Sequence, residues 1–162
     1  MGDRLDSRRT TAENTNQRFE VSSILAVETK PWARYGVPGC FVHLKGRGDF
    51  LAMYVIDIPK GGKTAPQKMM AEEVFYVIEG KGYDLHWDVR FDCDHEMEFT
   101  WDEEPKRFEW SQGDFVYIPP YCAHQHFNSD PNNEARIIVI NSRILKPMGF
   151  DWFEQLENAE GY

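Results

Sequence analysis

Glu73, His124 and His126 are three residues of types that hold metal ions or move protons, and their spacing could bring them together. The two histidines are two positions apart in a run with the pattern of a strand, so we expect both imidazoles on one face. Glu73 shares its predicted strand face with Phe75 and Val77, so it should point into an apolar interior. A carboxylate and two imidazoles in one interior are suited to bind a divalent metal ion or to act in acid–base chemistry.

Glu73 constrains the chemistry because of where its strand places it. An ionised carboxylate in an apolar interior must be paired, coordinated or protonated, because its desolvation is costly. Without a partner, desolvation would raise the pKa of Glu73 and prepare it to act as a general base. A hydrogen bond from Gln67, or an ion pair with protonated His124, would satisfy the carboxylate without any chemistry.

Short β-branched or aromatic runs, separated by glycine and proline, must position these residues. Their spacing predicts an all-β sandwich or barrel. The runs are Gly39–Leu44, Phe50–Ile58, Glu73–Ile78, Gly82–Val89, Asp114–Ile118 and Ala135–Asn141. Several are apolar on both faces, so a second layer must cover the outside: the N-terminal segment, a C-terminal helix or a second subunit. We therefore expect a homodimer.

The two ends of the chain differ in composition from the middle. Residues 1–18 are polar, which predicts a disordered tail or an arm that orders against a partner subunit. The predicted barrel covers residues 19–146, and residues 147–162 form a C-terminal tail. Within that tail, Asp151 is a suitable N-cap and the spacing up to Glu157 predicts a short helix. Residues 91–105 are acidic and aromatic, lack the carboxylate spacing of a calcium loop, and predict a solvated hairpin.

Composition excludes several classes of partner. A net charge of -9 argues against a protein that binds nucleic acid or an anionic membrane, since both require a basic face. The three cysteines are widely spaced without a Cys-x-x-Cys, which argues against a disulfide framework and favours a reducing cytoplasm. Neither a signal-peptide pattern nor a long apolar run is present, so we expect a cytoplasmic protein that does not span a membrane.

The segment from Gly61 to Gly80 resembles the first sequence motif of the cupin superfamily. Gly61, Glu73 and Gly80 match that motif, while Gln67 and Met69 stand where two histidines are expected. In metal-dependent cupins those two histidines, the glutamate and one histidine of the second motif bind one divalent ion. The resemblance therefore implies that Gln67 and Met69 line the pocket and that the usual four-ligand site is altered.

The segment from Gly113 to Asn128 resembles the second cupin motif, with Tyr121 in place of an inner glycine. The matching positions are Gly113, Pro119, His124 and Asn128. Two motifs in the right order imply a single-domain cupin of the conserved-barrel type, a double-stranded β-helix or jelly-roll-like barrel. This region is also similar to the second motif of gentisate-type ring-cleaving dioxygenases.

Three interpretations of the altered site remain open. In the first, the metal is lost and the barrel binds a small organic ligand, for which the aromatic lining favours an aromatic one. In the second, Glu73, His124 and His126 form a shifted two-histidine, one-carboxylate set for Fe, Mn, Zn or Ni, as in a dioxygenase-like enzyme. In the third, Glu73 and His124 are the acid–base pair of a metal-free isomerase or cyclase. The predicted pocket residues are Gln67, Met69, Phe75, Tyr54, His126 and Asn128.

Two further candidates are predicted to be structural or solvated. His86 lies in a run with Asp84 and Asp88 on its face and Leu85 on the other, and we interpret it as a solvent-facing histidine rather than as a second site. Cys122, beside the expected pocket lip, is interpreted as a small buried hydrophobe rather than as a nucleophile.

Overall fold

A computed structural model describes residues 14–16, 23–44, 51–92, 98–142, 148–149 and 153–157. In these ranges the chain is almost entirely β-structure, with one short 3₁₀ helix over Ile24–Ala26. The strands are β1 (Asn14–Asn16), β2 (Lys30–Trp32), β3 (Val37–Leu44), β4 (Leu51–Ile58), β5 (Gln67–Met69), β6 (Glu73–Glu79), β7 (Lys81–Trp87), β8 (Val89–Asp92), β9 (Glu98–Trp101), β10 (Lys106–Ser111), β11 (Phe115–Ile118), β12 (Ala123–Asn128), β13 (Ala135–Ser142) and β14 (Phe153–Gln155).

Two sheets enclose the interior. The first has the strand order β1-β3-β4-β13-β6-β11, with β2 also paired to β3, and the second has the order β10-β7-β12-β5-β14. Strands β8 and β9 form a separate hairpin, which confirms the hairpin predicted over residues 91–105 in its described part. The sheets remain two facing layers and do not close into one continuous barrel. The predicted all-β, jelly-roll-like architecture is confirmed.

The core lies between the sheets and follows from strict alternation along the central strands. In β13, Ile137 and Val139 are buried while Ile138 between them is partly exposed, and β6 repeats the pattern with Phe75 and Val77. Strand β13 pairs with β4 on one side and β6 on the other, so its inward residues meet inward residues from both neighbours. Burying one face of each strand fixes the register, because a slip of one residue would turn this set outward.

The outer face of the first sheet is covered in part by the N-terminal segment. Val27 packs with the outward residues of β3 and β4, and the Arg136 guanidinium pairs with Asp57 at 2.7 Å beneath it. Beyond that segment, an outer row of Ile138, Tyr76 and Phe115 crosses β13, β6 and β11, and Phe115 is 68% exposed. The homodimer that this apolar face suggested stays a prediction.

The predicted C-terminal helix is wrong where the structure describes it. Phe153–Gln155 form the edge strand β14, antiparallel to β5, with Phe153 opposite Met69. Strand β5 has one edge on β12, and β14 takes up the backbone groups of its other edge. The short apolar pattern of this segment predicts a helix because it contains no information about pairing with the distant strand β5. That pairing outweighs the local helix propensity. Residues 151–152 lie outside the described residues.

The predicted boundaries at residues 18 and 146 stay predictions. Of the N-terminal segment before residue 19, the structure describes Asn14–Asn16, which pair in parallel with β3. The choice between a tail and a partner-dependent arm stays open for the rest of that segment. No helix in the described ranges is long and apolar enough to cross a membrane.

Gly82 in β7 occupies a place where no side chain fits. A Cβ there would lie 1.9 Å from the carbonyl oxygen of Phe127 and 2.4 Å from the Trp110 ring. We expect Gly82→Ala to lower the free energy of unfolding by about 3 kcal/mol, because backbone and ring must both move. Gly61→Ala is the control, since Gly61 has open space around it and a positive φ of 62° that costs about 1 kcal/mol in a non-glycine residue. If urea unfolding shows that Gly82→Ala and Gly61→Ala lose the same free energy of unfolding, this account of Gly82 is contradicted.

Candidate functional site

The two sheets bring Glu73, His124 and His126 together inside the fold. Glu73 begins β6 in the first sheet, and both histidines lie on β12 in the second. One ligand atom from each side chain lies within 4.8 Å of the others, and all three side chains are fully buried. The three residues that the sequence singled out therefore form one cluster.

His124 presents its Nε2 atom to the interior. Its Nδ1 lies 3.1 Å from the Cys122 carbonyl oxygen, and because a carbonyl only accepts, Nδ1 carries the proton. In the neutral ring Nε2 then has a lone pair, and the Gln67 side-chain nitrogen donates to it at 3.1 Å. The Oε1 atom of Glu73 lies 3.6 Å from the same Nε2, beyond hydrogen-bonding distance. The predicted hydrogen bond from Gln67 to Glu73 is thus replaced by one to His124.

His126 is held in the same way by a carboxylate. Its Nδ1 lies 3.1 Å from Asp84 Oδ1 and 3.0 Å from Asp84 Oδ2, which fixes the proton on Nδ1. The Phe75 ring packs at right angles to the imidazole at 5.0 Å. Burial lowers the pKa of His126, but the charge of Asp84 outweighs it and the net pKa is raised. The Nε2 atom has no hydrogen-bond partner among the described residues.

Glu73 is anchored through one oxygen. The Tyr54 hydroxyl donates to Oε2 at 2.8 Å and the Asn141 amide nitrogen lies 3.4 Å from the same oxygen, whereas Oε1 has no partner in the described ranges. Tyr54 in turn accepts from Asn141 at 3.0 Å and is hydrogen-bonded to the Tyr35 hydroxyl. Burial alone would raise the pKa of Glu73, but His124, His126 and Tyr54 together lower it, so the carboxylate is ionised.

Asp84 is the functional residue that sequence reasoning missed. It is fully buried and accepts hydrogen bonds from His126, from Trp110 Nε1 at 2.8 Å and from His86 Nε2 at 3.3 Å. Burial alone would raise the pKa of Asp84, but His126 first and then His86 hold it far below its usual range. Asp84 therefore fixes the orientation of one member of the cluster.

The solvent-facing interpretation of His86 is wrong, because β7 presents the opposite face to the one predicted. In the pairing of β7 with β12, Asp84 lies opposite His126 and His86 opposite His124. All four side chains share the inward face, and His86 is only 6% exposed. The sequence did contain a signal for this placement. Asp84 and His86 are two positions apart, as His124 and His126 are, so the two pairs can lie opposite each other on neighbouring strands.

The remaining pocket candidates separate into two groups. Tyr54, Phe75 and Gln67 reach the cluster through the contacts above, and the Met69 sulfur lies 3.8 Å from the Asn141 amide nitrogen. Asn128 is placed elsewhere: its amide nitrogen donates to three backbone carbonyls, of Ile58, Pro59 and Asn133. The structure thus brings all the predicted pocket residues to the cluster except Asn128, whose pocket role stays a prediction.

Cys122 is buried, as interpreted from the sequence. Burial raises the pKa of its thiol to about 12, so the thiolate needed for nucleophilic attack is not formed near neutral pH. The predicted structural role of this cysteine is supported.

The atoms left without partners fit a divalent metal ion. Gln67 Oε1, Glu73 Oε1 and His126 Nε2 are buried acceptors without a hydrogen-bond donor in the described part of the chain. Each such acceptor costs about 1–3 kcal/mol if nothing satisfies it, and one cation satisfies several at once. Two imidazoles and one carboxylate suit Fe(II) and similar ions, and the anchoring of both Nδ1 atoms is the outer-shell support that histidine ligands need.

A family model described as "Cupin" matches residues 44–144, well over half of the chain. A search of curated proteins finds no match.

Three similar solved structures have different activities. An oxalate oxidase in complex with the substrate analogue glycolate is 18% identical with a TM-score of 0.59, covering 84% of this chain and 63% of its own. Peruvianin-I, a cysteine peptidase from Thevetia peruviana latex, is 14% identical with a TM-score of 0.58. The match covers 85% of this chain and 77% of the peruvianin-I chain. A variant salicylate 1,2-dioxygenase from Pseudoaminobacter salicylatoxidans, in complex with gentisate, is 16% identical with a TM-score of 0.53. The match covers 76% of this chain and 29% of the dioxygenase chain. At these identities the likeness shows the fold alone.

Proposed function

The chain belongs to the cupin family, and on that premise we propose that it is a metal-dependent cupin that binds Fe(II) or Mn(II) through Glu73, His124 and His126. The ion would serve oxidative chemistry of the dioxygenase type on a small organic ligand. The observation that carries this proposal is that Glu73, His124 and His126 bring ligand atoms within 4.8 Å of one another, with Glu73 Oε1 and His126 Nε2 left without hydrogen-bond partners in the described ranges. His124 Nε2 would exchange its hydrogen bond from Gln67 for the ion. His126 would replace a histidine that the first motif lacks, from β12, the strand next to β5 in the same sheet.

When bound, such an ion supplies redox and Lewis-acid chemistry, and a three-residue ligand set leaves coordination positions for a small molecule. The chain's own residues prepare the site before anything binds. Asp84 keeps the His126 proton on Nδ1 and so keeps the Nε2 lone pair directed inward. Tyr54 and Asn141 hold one oxygen of Glu73 and leave the other exposed to the interior.

The metal-free interpretations account less well for the same atoms. A pocket that had lost its metal would be expected to lose the outer-shell anchors, or to fill the acceptor positions with donors. Instead Glu73 Oε1, His126 Nε2 and Gln67 Oε1 are buried without donors among the described residues. The acid–base alternative is supported by the 3.6 Å approach of Glu73 Oε1 to His124 Nε2, and the metal measurement separates the two.

We expect protein purified without chelator to carry about one Fe or Mn per chain, measured by elemental analysis, and metal-free protein to bind Mn(II) with an increase in melting temperature. Glu73→Gln is expected to abolish most of this binding, because it removes the anionic ligand. Glu79→Gln is the matched control, since Glu79 ends the same strand and is exposed. Failure of the wild-type protein to bind either ion would contradict the proposal and favour the acid–base pair.

A further inference from the structure

Arg34 is a cation at the side of the interior without an acidic or hydrogen-bonding partner in the described ranges. It lies in the turn between β2 and β3, and its Nε atom is buried without a hydrogen-bond acceptor. The guanidinium carbon lies 4.3 Å from the Phe153 ring centroid, 5.4 Å from that of Tyr35 and 5.6 Å from that of Tyr54. Aromatic faces stabilise a cation but accept none of its N–H groups.

The position of Arg34 connects it with the cluster. Tyr35 and Tyr54, which flank the guanidinium, are hydrogen-bonded to each other, and Tyr54 donates to Glu73. One oxygen of Glu73 is held by Tyr54 and Asn141, and the other faces His124. Glu73 therefore does not pair with Arg34, and no other carboxylate of the described residues forms an ion pair with it. A permanently charged fork thus stands one tyrosine ring away from the proposed metal ligands.

We infer that Arg34 anchors the carboxylate of an anionic organic ligand whose other end reaches Glu73, His124 and His126. This rests on, and deepens, the proposed function, since it names the class of ligand for the same site. A guanidinium binds a carboxylate through two parallel hydrogen bonds, which a single charged residue can supply. The rings of Phe153, Tyr35 and Tyr54 around the fork favour a ligand with a flat or apolar body.

The balance of charge supports a monoanion. With a divalent ion bound and His86, His124 and His126 neutral, the positive charges at the site are those of the ion and the partly buried Arg34. The negative charges are those of the buried Glu73 and Asp84. One positive charge is left over, and buried charge is stable only when it is compensated. A monocarboxylate completes the balance, whereas a phosphate dianion would exceed it and would lack a second cation in the described part of the site.

The test compares each acid with its own neutral amide. Benzoate and lactate are titrated into Mn(II)-loaded protein against benzamide and lactamide, with binding followed by melting temperature and by calorimetry. We expect the carboxylates to bind at least about 10-fold more tightly than the amides. Arg34→Met is expected to remove this preference while the increase in melting temperature caused by Mn(II) remains. Arg90→Met, at an exposed arginine paired with Asp102, is the control and should retain the preference.

The outcomes separate the inference from the proposed function. The inference is overturned by a carboxylate preference that survives in Arg34→Met, by amides that bind as well as acids, or by inorganic phosphate that binds as well as benzoate. It is also overturned if Mn(II) stabilises the protein and no carboxylate binds. A carboxylate preference that depends on Arg34 in a protein that binds no metal would instead overturn the metal proposal alone. If circular dichroism shows that Arg34→Met is unfolded, Arg34→Gln provides the same comparison.

Discussion

His126→Ala is expected to lower the affinity of the protein for Fe(II) or Mn(II) by more than about 100-fold, since losing a ligand costs more than the 10–100-fold that follows loss of an outer-shell partner. The remaining set would be Glu73, His124 and the weaker amide oxygen of Gln67. Alanine keeps the strand pairing but removes a buried partner of Asp84, so circular dichroism checks that the variant is folded. Competition with a fluorescent chelator measures the change.

The control for His126→Ala lies next to it in the same strand. Gln125 points to the other face of β12 and donates to the Thr64 carbonyl at 2.6 Å, so Gln125→Ala changes stability without touching the cluster. Its metal affinity should equal that of the wild type. An unchanged affinity in His126→Ala would contradict the shifted ligand set and leave His124, Glu73 and Gln67 as the binding residues.

A rescue variant separates a ligand role from a structural one. Met69 stands where the first motif expects a histidine, and its sulfur lies 3.8 Å from Asn141, which in turn contacts Glu73. Met69→His in the His126→Ala background is therefore expected to recover part of the lost affinity by restoring a second imidazole. A protein weakened only by a packing defect at His126 would show no such recovery.

The cluster was predictable because its members lie on strands whose periodicity is local. His124 and His126 are two residues apart in β12, and Glu73 alternates with apolar neighbours in β6, so the period of two placed each on an inward face. Glycines and prolines separate β3, β4, β6, β11 and β13 as predicted, whereas the predicted run Gly82–Val89 spans β7 and the start of β8. Strand periodicity and turn residues each depend on a few neighbouring positions, so they can be recognised in a single sequence.

The face of β7 was not predictable by the same rule. Its apolar residues Leu85 and Trp87 face outward, and Asp84 and His86 are buried. A local pattern assigns the apolar side to the core, but pairing with β12 decides the matter, because a shift of one residue would exchange the two faces. A buried polar face is favourable here because β12 supplies two histidines and β10 supplies the N–H of Trp110.

Long-range contacts also explain why Arg34 and β14 escaped prediction. Arg34 lies in a turn of ordinary composition, and its significance comes from Phe153, more than 100 positions later in the chain. The strand that carries Phe153 forms because β5 has a second edge to be paired. Neither relation leaves a local trace in the sequence.

Asp84→Asn is expected to lower metal affinity by about 10–100-fold although Asp84 would not touch the ion. The carboxylate accepts hydrogen bonds from His126, His86 and Trp110, whereas an asparagine has one acceptor oxygen and one donor group. If the amide nitrogen faces His126, the imidazole must accept at Nδ1 and carry its proton on Nε2. That tautomer directs an N–H into the site where the lone pair is needed.

Asp88→Asn is the matched control, because Asp88 follows the same strand but is a partly exposed partner of Lys106 at 3.0 Å. Exposed pairs of this kind add little to stability, so both metal affinity and urea unfolding should stay close to the wild type. Asp84→Asn should also lower the free energy of unfolding by about 1–3 kcal/mol, since at least one buried donor loses its acceptor.

The two measurements on Asp84→Asn together distinguish a positioning role from a purely structural one. A structural role would lower stability and leave the affinity of the folded protein for Mn(II) unchanged. A positioning role also moves the affinity, and it should do so without changing stoichiometry, because all three ligand residues are still present. Wild-type affinity in this variant would show that packing against Phe75 is sufficient to orient His126, and the carboxylate would then serve the fold alone.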